Sequence, residues 1–220
     1  MFRSFKRFRT GLAFGGGLVA LFLMHTCKMM PIIGSARSFF SLSDALMPLT
    51  GALGMWMGAT AALIRSGFFL GASYTLLSLV YHLPGFCASA SWAYPNKLMR
   101  CVLPLSCMVL FWAHPIGFYA APYALYWLIP VGIFVFKKRG VFFEALSATF
   151  IAHAVGSVVW LYLKGLPVAV WWGLIPVVPF ERLLNAALMT VVYYGVCEAG
   201  KALRLLRSWW TARAQSVTKN

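Results

Sequence analysis

The chain has 220 residues, of which 61% are hydrophobic and only 10% are charged, and its mean hydropathy is +0.80. Soluble globular domains do not have this composition, so the sequence predicts one integral-membrane domain over residues 1–220, without a separate soluble catalytic domain. The net charge of +15 does not predict nucleic-acid binding, because the basic residues lie beside apolar segments, where Lys and Arg orient membrane helices.

The apolar segments lie at about 11–27, 45–64, 66–83, 98–113, 116–136, 142–163, 166–180 and 183–200. Basic groups separate them at the N-terminus (1–10), at Lys97 and Arg100, at 137–139 and in the tail (201–220). Cytoplasmic loops are enriched in Lys and Arg, so all four groups should be cytoplasmic and an even number of crossings should join each neighbouring pair. The predicted fold is all-α, a polytopic membrane helical bundle of about six transmembrane helices with both termini cytoplasmic.

This topology requires that some apolar segments do not cross fully. One of 45–64 and 66–83 would be short, re-entrant or on the surface, and the proline-containing segment 166–180 would be an outer loop or half-helix. About eight crossings are the alternative, which would place one basic group on the wrong side. The basic N-terminus and the apolar run after it also resemble a signal peptide, but no convincing cleavage site follows directly, so we predict that the first helix is retained.

Small residues recur at helical spacing in the early segments, at Gly16 and Ala20 and again at Gly54, Gly58 and Ala62. Such a face lets two helices approach closely. Packing within the bundle and docking of a partner membrane subunit are both compatible with this pattern.

Segment 142–163 combines two faces. Ala148, Ala152 and Gly156 form a small-residue face, and Thr149, His153 and Trp160 form a polar-aromatic stripe beside it, with Ser157 close by. An ionisable residue in mid-span is a candidate for a functional site, although His153 could also be a neutral imidazole bonded to a neighbouring helix. This helix is therefore predicted to offer both a packing surface and a lining surface.

Glu181, Arg182 and Asn185 are predicted to begin the last helix. Glu181 would suit the positive end of the helix dipole and could pair with Arg182 or another charge. Alternatively, Glu181 and Asn185, one turn apart on the same face, could contact a ligand that carries amide or amine groups.

Catalytic and metal-binding patterns are mostly missing from the sequence. It has neither a nucleophile elbow nor a zinc-protease motif, and its five cysteines include no Cys-x-x-Cys pair. We therefore expect no enzyme activity, catalytic residue, cofactor or metal site. Without a phosphate-binding loop, the chain could not energise transport by itself.

Residues 40–54 read FSLSDALMPLTGALG, and small residues continue at Gly58 and Ala62. This stretch resembles the substrate-binding S components of energy-coupling factor (ECF) vitamin transporters, in which a loop containing Ser and Asp precedes a glycine-rich helix. The part from Ile175 through Asn185 is similar to the Asn-bearing last helix of many members. The first helix departs from the family's usual Ala-x-x-x-Ala pair, because it carries Ala13 with Gly17, or Gly16 with Ala20.

The resemblance implies a subunit of the bacterial cytoplasmic (inner) membrane that binds a vitamin-like small molecule from the outer side. A transmembrane coupling subunit and ATPases would then energise uptake. By position, the implied substrate-binding residues are Tyr123, Trp127, His153, Trp160, Glu181 and Asn185. The implied partner-docking residues are Gly16, Ala20, Ala148, Ala152 and Gly156.

Two other classes of function fit the composition. One is an envelope scaffold or assembly protein, and the other is a small intramembrane enzyme that acts on a lipid substrate. A transporter needs an outer cluster of polar and aromatic residues, which a scaffold does not need, whereas an enzyme needs charged chemistry at a fixed depth.

Overall fold

A computed structural model describes residues 28–31, 39–41, 46–53 and 76–217, and the described chain is almost entirely helical. This confirms the predicted all-α class, apart from one short antiparallel pair formed by β1 (Lys28–Pro31) and β2 (Phe39–Ser41). The pair lies between the first two apolar segments, where no helix is predicted. Gly16, Ala20, Gly54, Gly58 and Ala62 lie outside the described residues.

The remaining elements follow in chain order. They are a 3-10 helix (Met47–Leu53), α1 (Leu76–Ala93), a π-helix (Leu98–Val102), α2 (Leu103–Ala113), α3 (Pro115–Tyr119), a second 3-10 helix (Ala121–Trp127), α4 (Leu128–Val135), α5 (Val141–Lys164), α6 (Val168–Leu174) and α7 (Val177–Val217). The predicted segment 142–163 matches α5 closely. Segment 98–113 corresponds to the π-helix and α2 together.

Proline accounts for three differences from the predicted bounds. Helix α1 continues past Pro84 to Ala93, whereas the predicted segment stops at residue 83. The predicted helix 116–136 is broken, because a separate 3-10 helix begins at Ala121 and carries Pro122 in its first turn. Helix α7 begins at Val177, so Glu181 does not lie in its first turn as predicted. Pro179 fits within that first turn, where backbone N–H groups have no helical partner to lose.

Helix α5 lies at the centre of the described bundle and packs against α1, α2 and α7. Gly156 faces Pro84 of α1: a Cβ atom added to the glycine would lie 3.5 Å from the proline Cγ. Gly156 thus packs beside the proline ring that α1 carries in its interior, with space for an added methyl group at ordinary contact distance. The small-residue face of α5 is a packing surface within this chain.

A second close approach joins the first 3-10 helix to α1. A Cβ atom added to Gly51 would lie 2.0 Å from the carbonyl oxygen of Ser89, which is far inside contact distance. Thr50 and Ser89 share a hydrogen bond of 2.9 Å between their hydroxyl groups. Only glycine permits this contact between two backbones.

Within the described residues, two helices are long and apolar enough to cross a membrane, namely Val141–Lys164 and Val177–Trp210. Two shorter apolar stretches, Leu98–Ala113 and Ala121–Val135, are also helical. Helix length and composition therefore support membrane association.

Candidate functional site

Four aromatic rings meet in the interior of the bundle and form what we call the ring cluster: Phe111, Tyr123, Trp127 and Trp171. The ring of Phe111 stacks on Tyr123 at a centroid distance of 5.6 Å and meets Trp127 and Trp171 edge-on at 5.3 and 5.1 Å. All four side chains are at most 2% exposed. Edge-to-face contacts place the positive edge of one ring on the negative face of another, so the cluster is held by more than burial alone.

A tight turn after α2 brings these rings together. His114 lies between α2 and α3, and its Nδ1 accepts a hydrogen bond of 3.2 Å from the backbone N–H of Ile116 in the first turn of α3. At Gly117, an added Cβ atom would lie 1.9 Å from the carbonyl oxygen of Phe111. The chain can therefore fold back closely enough for Tyr123 to lie on Phe111.

Polar groups from α5 complete one side of the ring cluster. The Tyr123 hydroxyl lies 2.8 Å from Nε2 of His153 and 3.1 Å from the Ser157 hydroxyl, which is one turn further along α5. A phenol has one proton to donate, so Tyr123 donates to one of these groups and accepts from the other. His153 thus has a partner on a neighbouring element, and its contact with a ligand stays a prediction.

An ion pair from α7 lies beside this hydrogen-bonded group. Oε1 of Glu181 is 2.5 Å from Nη2 of Arg182, and both side chains are largely buried. Val178, in the first turn of α7, packs in the same buried cluster as Tyr123 and Trp127, and Arg182 follows one turn further along the helix. The structure confirms the anticipated pairing of Glu181 with Arg182.

Two buried N–H groups at the site have no hydrogen-bond partner in the structure described: Nε1 of Trp127 and Nε of Arg182. We call them the open donors. Both groups can donate a hydrogen bond but cannot accept one. A buried donor without a partner costs roughly 1–3 kcal/mol, which a bound acceptor would recover.

The structure thus joins three of the residues predicted for substrate binding, because Tyr123 contacts both Trp127 and His153. Glu181 lies three residues after Val178, which packs in the same buried cluster. Trp160 is half-buried seven residues after His153, on nearly the same face of α5. Asn185 is half-buried one turn beyond Glu181. Within the described part of the chain, no ring contact or hydrogen bond joins Asn185 to the ring cluster.

Sequence reasoning missed Phe111 and Trp171 as members of the site. Phe111 lies in a uniformly apolar stretch, where the pattern does not distinguish it from its neighbours. Trp171 and Trp172 look alike in sequence, but Trp171 is buried and Trp172 is 48% exposed. The usable signal was the pair itself, because adjacent helical residues cannot both face the core.

A second buried ion pair lies at the other end of α5. Arg100, from the π-helix, is 4% exposed and binds Glu144 in the first turn of α5. Glu144 is nine residues before His153, about 13 Å along the helix axis. This pair ties two elements together and is separate from the ring cluster.

The small-residue face of α5, predicted to dock a partner, is partly covered within the bundle. Ala148 is buried, while Ala152 and Gly156 are half-buried, with Gly156 against α1. Docking of a partner on this helix stays a prediction. Among the described residues, no group of three His, Cys, Asp or Glu side chains is arranged to hold a metal ion.

Comparison with known proteins finds no match for this chain among family profiles, curated proteins or solved structures. The geometry of the site is therefore the basis for assigning a function.

Proposed function

We propose that the chain is a membrane-embedded subunit that binds a vitamin-like small molecule for uptake across a bacterial cytoplasmic membrane. A transmembrane coupling subunit and ATPases, as in ECF transporters, would supply the energy. One observation carries the proposal: three separate stretches of sequence meet at one buried cluster, because Tyr123 contacts both Trp127 and His153, and Val178 of α7, three residues before Glu181, packs in the same cluster.

The proposed topology places this site towards the outer side. The basic run 137–139 precedes α5 and would be cytoplasmic, so the first turn of α5 with Glu144 would be inside and its second half with His153 towards the outside. About six crossings with both termini cytoplasmic would complete the bundle. A substrate would then enter from the outer ends of the helices.

The chemistry of the site favours binding over catalysis. Aromatic faces and edges surround a few convergent polar groups, which is the usual make-up of a small-molecule site. Tyr123 is hydrogen-bonded to both His153 and Ser157, and Glu181 is paired with Arg182. These groups can orient a ring-shaped ligand without a change in covalent bonding.

Native mass spectrometry of the detergent-purified protein, incubated with a bacterial metabolite extract, tests this proposal. We expect a small molecule to remain bound to the wild type and to be lost in Tyr123→Phe, which keeps the ring but removes the hydroxyl that contacts His153 and Ser157. Tyr162→Phe is the matched control, because its hydroxyl bonds to the Leu110 carbonyl at an exposed position.

An adduct that is lost in Tyr123→Phe and kept in Tyr162→Phe supports a binding subunit with its site at the ring cluster. A wild type that stays empty in every extract contradicts the proposal and favours the envelope scaffold. An adduct that both variants retain shows that binding occurs elsewhere.

A further inference from the structure

The open donors, Trp127 Nε1 and Arg182 Nε, indicate what the ligand must offer. Both are buried, and Trp127 and Arg182 are 0% and 8% exposed. We infer that the site takes an uncharged, planar heteroaromatic molecule that carries hydrogen-bond acceptors, such as carbonyl oxygens or ring nitrogens. This inference rests on the proposed function and specifies the class of its substrate.

The demand for acceptors follows from the hydrogen bonds that already exist. The polar groups of Tyr123, His153 and Ser157 bind one another. A Glu181 carboxylate without a partner would favour a ligand with an amine, but Glu181 is paired with Arg182. Among the fully buried side-chain N and O atoms of the described site, the two without a partner are both N–H groups, and a ligand with donors alone would leave both unpaired.

The preference for an uncharged ligand follows from the ion pair. Arg182 and Glu181 neutralise each other, and their side chains are only 10% and 14% exposed. A carboxylate ligand would place a second negative charge near Glu181, and an ammonium group a second positive charge near Arg182. Each would be taken out of water without a counter-charge among the described groups of the site, which is costly.

The preference for a planar ring follows from the four aromatic side chains. Trp127 and Trp171 both meet Phe111 edge-on, and Tyr123 stacks on it, so flat hydrophobic surfaces already border the polar groups. A flat ring can continue such packing while its edge accepts hydrogen bonds from the open donors.

A matched series of probes tests the inference: methyl nicotinate, nicotinate and pyridylmethylamine, and the same three derivatives of quinoline. Within each series the ring is constant, while the substituent is a neutral acceptor, an anion or a cation. Binding to the full chain in nanodiscs is measured by ligand-observed NMR titration. We expect the neutral esters to bind about tenfold tighter than either charged analogue.

Two tryptophan variants connect this preference to the site. Trp127→Phe removes one open donor and keeps an aromatic ring, so it should weaken ester binding several-fold. Trp210→Phe, on an exposed tryptophan of α7, should leave ester binding unchanged. Thermal unfolding of each variant shows whether it is folded, and Arg182→Lys replaces Trp127→Phe if the latter is not.

The outcomes separate this inference from the proposed function. Preference for the anion or the cation, equal binding of all three probes, or full ester binding by Trp127→Phe overturns the inference. If the probes fail to bind but an extracted metabolite binds in a Tyr123-dependent manner, the inference stands only if that metabolite is uncharged and carries hydrogen-bond acceptors. If neither probes nor metabolites bind, both the inference and the proposed function are wrong.

Discussion

Arg100 shows what a single buried charge requires in this chain. Its guanidinium binds Glu144, whose side chain is 25% exposed, so the pair is largely but not fully removed from water. Breaking such a pair leaves one charge without compensation, whereas replacing both partners by apolar residues removes the need for compensation.

We therefore expect Arg100→Met and Glu144→Leu each to lower the free energy of unfolding, by roughly 2 kcal/mol for the first and less for the more exposed second. The double variant should lose less than the sum of the two. Unfolding in detergent, followed by tryptophan fluorescence, measures all three. Additive losses would show that the two side chains do not depend on each other.

At the same scale, the sequence predicted those site residues whose chemistry is unusual for their surroundings. His153 is an ionisable group inside an apolar segment, and Glu181 lies between two apolar segments, so both were identifiable as candidates. Phe111 and Trp171 were not, because an apolar ring in an apolar chain carries no signal of its own. Their position in the site depends on the turn at Gly117 and on the bounds of α6, which belong to the tertiary structure.

Among the elements, α5 was predictable because an uncharged run lies between Glu144 and Lys164 and its helix ends at Gly165, whose φ of 57° suits glycine. The stretch 116–136 was not predicted correctly, because hydropathy does not register the change from α3 to a 3-10 helix at Pro122. That break matters, since it places Tyr123 and Trp127 within the core.

Two glycines make the packing between elements testable. Gly51→Ala would drive a Cβ atom into the Ser89 carbonyl, whereas the Cβ atom in Gly156→Ala would meet Pro84 at an ordinary contact distance of 3.5 Å. We expect Gly51→Ala to destabilise the protein by about 1–3 kcal/mol. Gly156→Ala should be neutral or stabilising by up to about 1 kcal/mol.

Thermal unfolding of both glycine variants in the same detergent provides the comparison. If Gly51→Ala unfolds at the wild-type temperature, the 3-10 helix does not approach α1 as closely as described. If Gly156→Ala is the less stable variant, the contact between α5 and α1 is tighter than 3.5 Å.

For the whole molecule, the length of α7 limits how it can lie in a bilayer. Its 41 residues extend about 61 Å, roughly twice the thickness of a hydrocarbon core. Residues 201–210 are exposed and include Lys201, Arg204 and Arg207. The apolar first half of α7 can therefore cross a membrane while the basic end extends beyond it, on the side where positive charge is retained.

Cysteine labelling tests the resulting orientation. In a variant whose native cysteines are replaced by alanine, Trp172→Cys on α6 and Trp210→Cys on α7 introduce thiols at two exposed positions, 48% and 64% accessible. We expect a membrane-impermeant maleimide to label Trp172→Cys in intact spheroplasts and Trp210→Cys only after permeabilisation. The reverse pattern would invert the bundle and place the ring cluster towards the cytoplasm, where it could not capture a substrate from outside. Labelling of both thiols in intact spheroplasts would put the C-terminal end outside, which requires an even number of crossings between α6 and residue 210.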